Sequence, residues 1–321
     1  MIVVLAESVF SPDSPDAAVE LMVLIANSRH VVFADTEAPA YKEWVKSAGA
    51  FGIRMKNMLA VSSRLIIGGA SQNKINVHVG LTNWNTPVPT LSIDDARLYL
   101  PIPFKIFVEN NDADRAFLLS LLDYEKREYL LELQIKHWLV FVHGGGTGDL
   151  QKQIVWEAEN TMRADLRSFA YFDNDGLVPG QPSRKTVQIA TECTKRHIHY
   201  HQLTRRAIEN YIPFSGLELW ASLQSNKRAR YTRRQLTHFK KLSVDERDYF
   251  NMKTGHGGDG ISAVPYPILN QYELRFLKKG FGLKLATIFQ HPKFRDKADR
   301  KDFQRAVVEI ENLYALLRKR I

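Results

Sequence analysis

Residues 104–121 read FKIFVENNDADRAFLLSL: a five-residue strand-forming run that is apolar but for Lys105, a glutamate, then an aspartate-rich start to a helical pattern. Such a stretch is a buried strand feeding a helix, because the acids suit the positive end of a helix while the run before them is mostly apolar. The same alternation repeats downstream. HWLVFVH (137–143) is a strand that breaks at GGGTG and leads into the helix DLQKQIVWEAEN. LRSFAYFDNDG (166–176) is a third strand with SRKTVQIATECTK (183–195) as its helix, and HIHYHQL (197–203) is a fourth, followed by TRRAIENYIP. Strands and helices alternating at this spacing predict right-handed crossovers and a mainly parallel sheet. A single helix is expected over 110–133, from NNDADRAFLLSLLDYEKREYLLEL.

Upstream, residues 1–100 read as a smaller α/β unit. IVVLAESVF begins a strand, AAVELMVLIANS is a helix, HVVFA a second strand, and YKEWVKSAGAFG a helix ending at glycine. NKINVHVG (73–80) is a further strand candidate, and TNWNTPVPTL is a connecting loop on its prolines and asparagines. Downstream of Phe214 no comparable strand occurs, and amphipathic stretches such as KDFQRAVVEIENLYALLRKR predict a helical region over 214–321. The division expected is therefore 1–100, 101–213 and 214–321.

The chain has 321 residues, 45% hydrophobic and 11% aromatic, enough for more than one core. No apolar run approaches the roughly 20 residues of a membrane helix, and the start carries acids where a secretory leader is basic, so no membrane partner and a cytoplasmic location are expected. The single cysteine, Cys193, excludes an internal disulfide framework and fits a buried helical position. A formal net charge of +9 favours polyanionic partners.

In an open parallel sheet, reactive groups gather beyond the carboxyl ends of the strands. Glu109 ends the first strand of this region, and Asp173 and Asp175 end the third, their alternate spacing placing both toward one side of an extended segment. If the two strands are neighbours, three carboxylates meet, and Mg²⁺ (or Mn²⁺) is the natural counter-ion because it prefers hard oxygen ligands. Read alone, an Asp-x-Asp in a loop is more commonly a turn or a helix cap.

Taken together, IFVENNDADRAFLLSLL, FVHGGGTGDL, AYFDNDG and LTRRAIENYIP resemble the TOPRIM domain of the OLD-type (overcoming lysogenization defect) nucleases and related stand-alone defence nucleases. The likeness spans about Phe104 to Gly255, where YFNMKTG resembles the family's late Lys-x-Gly. It implies a TOPRIM core and a metal-dependent nuclease acting on DNA or RNA in prokaryotic antiphage defence, with a separate ATPase subunit, since no Walker motif is present. A homo-oligomer is compatible with it. By position it implies Glu109 as metal ligand or general base, Asp173 and Asp175 as metal ligands, and Asp114 as a support for Glu109. Glu209 is implied as a second-metal ligand and Lys253 as a transition-state stabiliser. The chain departs from the pattern at Asn110, where the family has glycine, which leaves Asp112 a rival to Asp114.

Other readings stand beside these. Asp112 and Asp114 also suit a helix cap, Glu209 lies within reach of Arg205 or Arg206, and Lys253 suits a solvated turn. Gly144, Gly145 and Gly146 lack the Lys-Ser/Thr of a nucleotide-binding loop and suit a close backbone turn near the site. His197, His199 and His201 alternate on one strand face without further zinc ligands at a suitable spacing. KRARYTRRQLTHFKK (227–241) interleaves Lys227, Arg228, Arg230, Arg233, Arg234, Lys240 and Lys241 with aromatic rings, which suits a nucleic-acid backbone as well as a solvated helix face. The helix around Trp220 and Leu223 is expected in the core, and GHGGDG (255–260) as a flexible loop or flap. The 1–100 unit resembles a degenerate PIN-like nuclease domain through Glu7, Asp35, Glu43 and Asp95, or serves as a partner-binding scaffold. A catalytically inactive nucleic-acid- or protein-binding regulatory subunit is the alternative to the enzyme.

Overall fold

A computed structural model describes residues 1–11, 15–28, 30–67, 73–259, 266–297 and 300–321. The chain is α/β, with two four-stranded parallel sheets. The first sheet holds β1 (Ile2–Leu5), β2 (Val31–Ala34), β3 (Lys74–Val77) and β4 (Thr90–Leu91) in the order β2-β1-β3-β4. Its helices are α1 (Pro15–Asn27), α2 (Pro39–Ser47), α3 (Ala50–Ile67) and α4 (Ile93–Tyr99). The second sheet holds β5 (Phe104–Val108), β6 (Leu139–His143), β7 (Ser168–Phe172) and β8 (His199–Gln202) in the order β6-β5-β7-β8. Between its strands run α5 (Asn111–Leu121), α6 (Tyr124–Ile135), α7 (Thr147–Asn160) and α8 (Arg184–Lys195). The remainder is helical: α9 (Phe214–Ser222), α10 (Asn226–Phe239), α11 (Val244–Tyr249), α12 (Gln271–Leu277), α13 (Pro292–Lys297) and α14 (Arg300–Arg318).

Alternation along β5 and β7 gives each face of the second sheet its own core. Ile106, Val108, Phe169 and Tyr171 face a large cluster that continues through Phe117, Tyr211, Phe250, Phe289 and Leu313, so the C-terminal helices pack directly on this face. Phe107, Ala170 and Phe172 face Leu150, Ile154, Ile189 and Cys193 of α7 and α8. Cys193 is buried, and burial pushes its thiol up to about 12, as suits a small core residue. Among the described residues no helix is long and apolar enough to cross a membrane.

Several local expectations are corrected. The helix expected over 110–133 is two, because Asp123 starts α6 by accepting the Lys126 N–H at 3.0 Å. The helix expected over 41–52 stops at Ser47, and Gly49 at φ 54° turns the chain into α3. Gly52 lies inside α3, where a Cβ would meet the Val45 carbonyl oxygen at 2.5 Å. The 82–91 loop contributes β4 at its end. His197, at φ 58°, sits in the turn before β8, so the three histidines do not share a strand face, and His201 bonds Glu309 at 3.0 Å. Leu223 is 49% exposed rather than in the core, while Trp220 is half-buried and donates to the Phe281 carbonyl at 3.2 Å. Within GHGGDG, His256–Asp259 forms a short 3-10 turn pinned by Arg206 on Asp259, so the described part is no free flap. Gly260 lies outside the described residues.

Candidate metal centre

β5 and β7 are hydrogen-bonded neighbours, with Phe107 opposite Ala170, so the residues that follow them leave the sheet side by side. Glu109 comes directly after β5 and Asp173 directly after β7, and the Asp173 N–H donates to Glu109 Oε1 at 3.2 Å. The loop after β6 closes over the same point. Gly144 and Gly146 donate their N–H groups to the carbonyls of Val108 and Glu109, at 2.8 and 3.2 Å. A Cβ on Gly144 would lie 2.7 Å from Leu150 Cβ, and Gly145 and Gly146 have φ of 73° and 110°, so glycine permits this close pass. Thr147, which opens α7, donates its hydroxyl to Glu109 Oε2 at 3.3 Å. Sequence reasoning missed Thr147, although its place just after the glycine turn is the available signal.

The flanking acids come from separate elements. Asp114, on α5, is buried and accepts the Asn110 N–H at 2.8 Å, while Asn110 accepts from Ala113 and caps the helix. Asp112, two residues earlier, is exposed. Asp173 is buried and Oδ1 accepts the Ile208 N–H at 3.0 Å. Asp175 does not arrive by strand alternation: β7 ends at Phe172, and Asp175 has φ 53° in a turn held by its N–H on the Arg206 carbonyl at 2.7 Å. Glu209 is buried and pairs with neither Arg205 nor Arg206. Arg205 lies 3.3 Å from Asp248 and Arg206 2.6 Å from Asp259. Glu209 instead meets Lys253, Nζ to Oε1 at 3.3 Å, and its Oε2 has no hydrogen-bond partner among the described residues.

The electrostatics follow from burying several acids together. Burial, reinforced by Asp175, pushes Glu109 up to about 7. Burial also pushes Asp114 up to about 7, against the Asn110 N–H, with Glu109 and Glu209 adding to the rise. Asp173 is held well above the usual carboxylate range by burial and then by Glu109, and Asp175 is raised chiefly by burial. Burial works against the charge on Lys253, but Glu209 and Asp173 more than compensate and leave it more basic than an ordinary lysine. Lys253 is the cation that acts on each of these acids, with Arg206 and Lys185 also acting on Asp175, and the carboxylates outnumber them.

That surplus tests the fit of Mg²⁺ or Mn²⁺. The donors are hard oxygens, one of them unpartnered, which is the chemistry such an ion takes. The array is not closed: among the described residues no three or more His, Cys, Asp or Glu side chains stand ready to hold a metal ion. Asp173 and Asp114 spend an oxygen each on backbone amides, and Glu109 bonds an amide and a hydroxyl.

In the first sheet the acids do local work. Glu7 accepts the Ala40 N–H at 3.3 Å, Asp35 the Glu37 N–H at 2.9 Å, Asp95 bonds Ser92 and Thr82, and Glu43 is exposed. The basic stretch is the exposed side of α10 and its end. There Lys240 pairs with Glu218 at 2.9 Å and Lys241 with Glu273, whereas Lys227, Arg228, Arg230, Arg233 and Arg234 are exposed. No protein-family model, curated protein or solved structure matches this chain.

Proposed function

We propose that the chain is a TOPRIM-type, divalent-metal-dependent nuclease that hydrolyses phosphodiester bonds of DNA or RNA. The observation that supports it most is the contact of Glu109 with the Asp173 backbone at the ends of two adjacent parallel strands, inside a shell completed by Asp114, Asp175, Glu209 and Lys253. Glu109, Asp173 and Asp175 would hold the ion, with Asp114 behind Glu109 and Glu209 available to a second. When bound, Mg²⁺ or Mn²⁺ supplies Lewis-acid polarisation of a phosphate oxygen and acidifies a water. Were Glu109 the general base rather than a ligand, its carboxyl, raised to about 7 by burial and Asp175 in the metal-free chain, would be suited to hold a proton near neutral pH. Asp114 keeps its carboxylate on the Asn110 amide and so steadies the turn that carries Glu109. Lys253 places a fixed positive charge where negative charge grows on the phosphate oxygens.

Plasmid, single-stranded DNA and total tRNA, each with Mg²⁺, Mn²⁺ or EDTA, test the reading. Metal-dependent cleavage that disappears in Glu109→Gln and Asp173→Asn is the expected result. Full activity in either purified variant, or no cleavage of any substrate by the wild type, overturns it. The unclosed ligand array favours a second reading, a regulatory subunit whose acids no longer catalyse and whose binding is indifferent to EDTA. A role as the effector of an antiphage system beside a separate ATPase subunit belongs to the first reading and rests on the family likeness.

A further inference from the structure

Beside the acidic centre the surface is hollowed into two adjoining grooves of about 500 and 580 Å³, which share Arg228, Lys279 and Gly280. The first is lined by Lys227, Arg228, Arg275, Lys278 and Lys279. The second is lined by Arg228, Lys279, Lys284 and Lys253, whose ammonium touches Glu209. Among the described residues, no acidic residue lines either groove. Among the described residues, none of the cations along the trough other than Lys253 has an ion-pair partner. Like charges gathered from two distant segments repel one another, and a polyanion laid along them relieves that repulsion.

The trough is built rather than loose. Phe281 donates its N–H to the Met252 carbonyl at 2.7 Å and Gly257 to the Lys278 carbonyl at 3.1 Å, so the 278–282 loop lies flat on the segment that carries Lys253. A Cβ on Gly280 would come within 2.4 Å of the Lys253 carbonyl carbon, so only glycine allows this approach. From the other side Gln235 holds the Lys279 carbonyl and Trp220 the Phe281 carbonyl. Tyr231, 38% exposed, offers a ring in the first groove. Arg230, Arg233 and Arg234 line neither groove, so helical periodicity divides the basic stretch into a trough face and an outer face.

We infer that this trough carries a single nucleic-acid strand into the acidic centre, its phosphates on Arg228, Lys278, Lys279 and their neighbours and a base against Tyr231. The choice of polynucleotide rests on the nuclease reading. The geometry of the trough does not.

Binding of a fluorescein-labelled oligothymidylate to the full chain in EDTA, followed by anisotropy over a salt series, tests it. Wild type binds, and Arg228→Glu and Lys278→Glu each weaken binding on the order of tenfold. Each also makes the log Kd–log salt plot shallower, by about 0.7 for every phosphate that is no longer neutralised. Arg230→Glu, the same charge change on the outer face of α10, costs much less. Circular dichroism checks that each variant folds, and Lys284→Ala is the milder probe where reversal unfolds the chain. No binding by the wild type, or losses at Arg228 and Lys278 no greater than at Arg230, overturns the trough, as does a preference for duplex that these variants leave untouched. Trough-dependent binding with no cleavage in Mg²⁺ or Mn²⁺ leaves the trough standing and removes the nuclease. Cleavage with unimpaired trough variants does the reverse.

Discussion

The Lys253 ammonium stands 3.3 Å from Oε1 of Glu209, a carboxylate from a different segment that is buried to 2% side-chain exposure. A lysine here answers the charge of a cluster whose members come from separate stretches of chain. The Lys253 side chain is 43% exposed and lines the second groove, while its ammonium meets Glu209.

Lys253→Met leaves Glu209 buried without its counter-charge. Loss of a fully buried partner costs about 3–5 kcal/mol, and the exposure of Lys253 discounts that to about 1–3 kcal/mol. Urea unfolding in EDTA measures it, and adding Glu209→Gln to Lys253→Met recovers part of the loss. A single variant as stable as wild type would contradict the pairing.

Neutralising one acid of the cluster has opposite effects on activity and stability. Glu109→Gln keeps the side-chain volume and removes a charge that burial and Asp175 oppose. The metal-free variant is expected to gain about 1–3 kcal/mol at pH 8 while losing metal-dependent cleavage. Chemical denaturation beside a cleavage assay reads both, and a destabilised, inactive variant would show misfolding instead.

The pH dependence of the metal-free chain follows in sign. Glu109 and Asp114 both titrate near 7 when folded, above the ordinary carboxylate range, so the folded state binds more protons than the unfolded state between the two. Their destabilising contribution is absent at low pH, grows as pH rises from about 4.5 through 7, and is complete above that. In EDTA the melting temperature is therefore expected to be several degrees higher near pH 5.5 than at pH 8, and Mg²⁺ at pH 8 to recover part of the difference. Differential scanning calorimetry checks it; a melt unchanged by Mg²⁺ would count against the metal.

Glu309 ties α14 to the site. Its carboxylate accepts from His201 at 3.0 Å, from the Thr204 N–H and hydroxyl at 2.8 and 2.6 Å, and from the Tyr211 hydroxyl at 2.5 Å. Glu309→Ala strands these donors, a loss of about 3 kcal/mol. It also loosens the Ile208–Tyr211 turn, whose first N–H holds Asp173. Hydrogen exchange at Thr204–Tyr211 is expected to quicken, whereas Glu309→Gln, which keeps an acceptor, has a smaller effect.

Much of this was legible in the sequence. The strands at 104–108, 139–143, 168–172 and 199–202, their crossover helices and the helical C-terminal stretch follow from hydrophobic period, which is a local property of the chain. So does the position of Glu109 and Asp173 at strand ends. Strand order is not local: only folding placed β5 against β7 and brought residues 64 positions apart into contact. Asp175 reached the site through a left-handed turn rather than by the alternation expected of it, and Glu209 found Lys253 rather than the arginines beside it. A short turn can pair residues distant in sequence while neighbours on one segment point apart. For the same reason the run at 227–241 announced a basic helix, but only the packing of the 278–284 loop against Lys253 divided it into a trough face and an outer face. Composition and period determined which elements form and how much charge they carry; tertiary packing decided which of those charges meet.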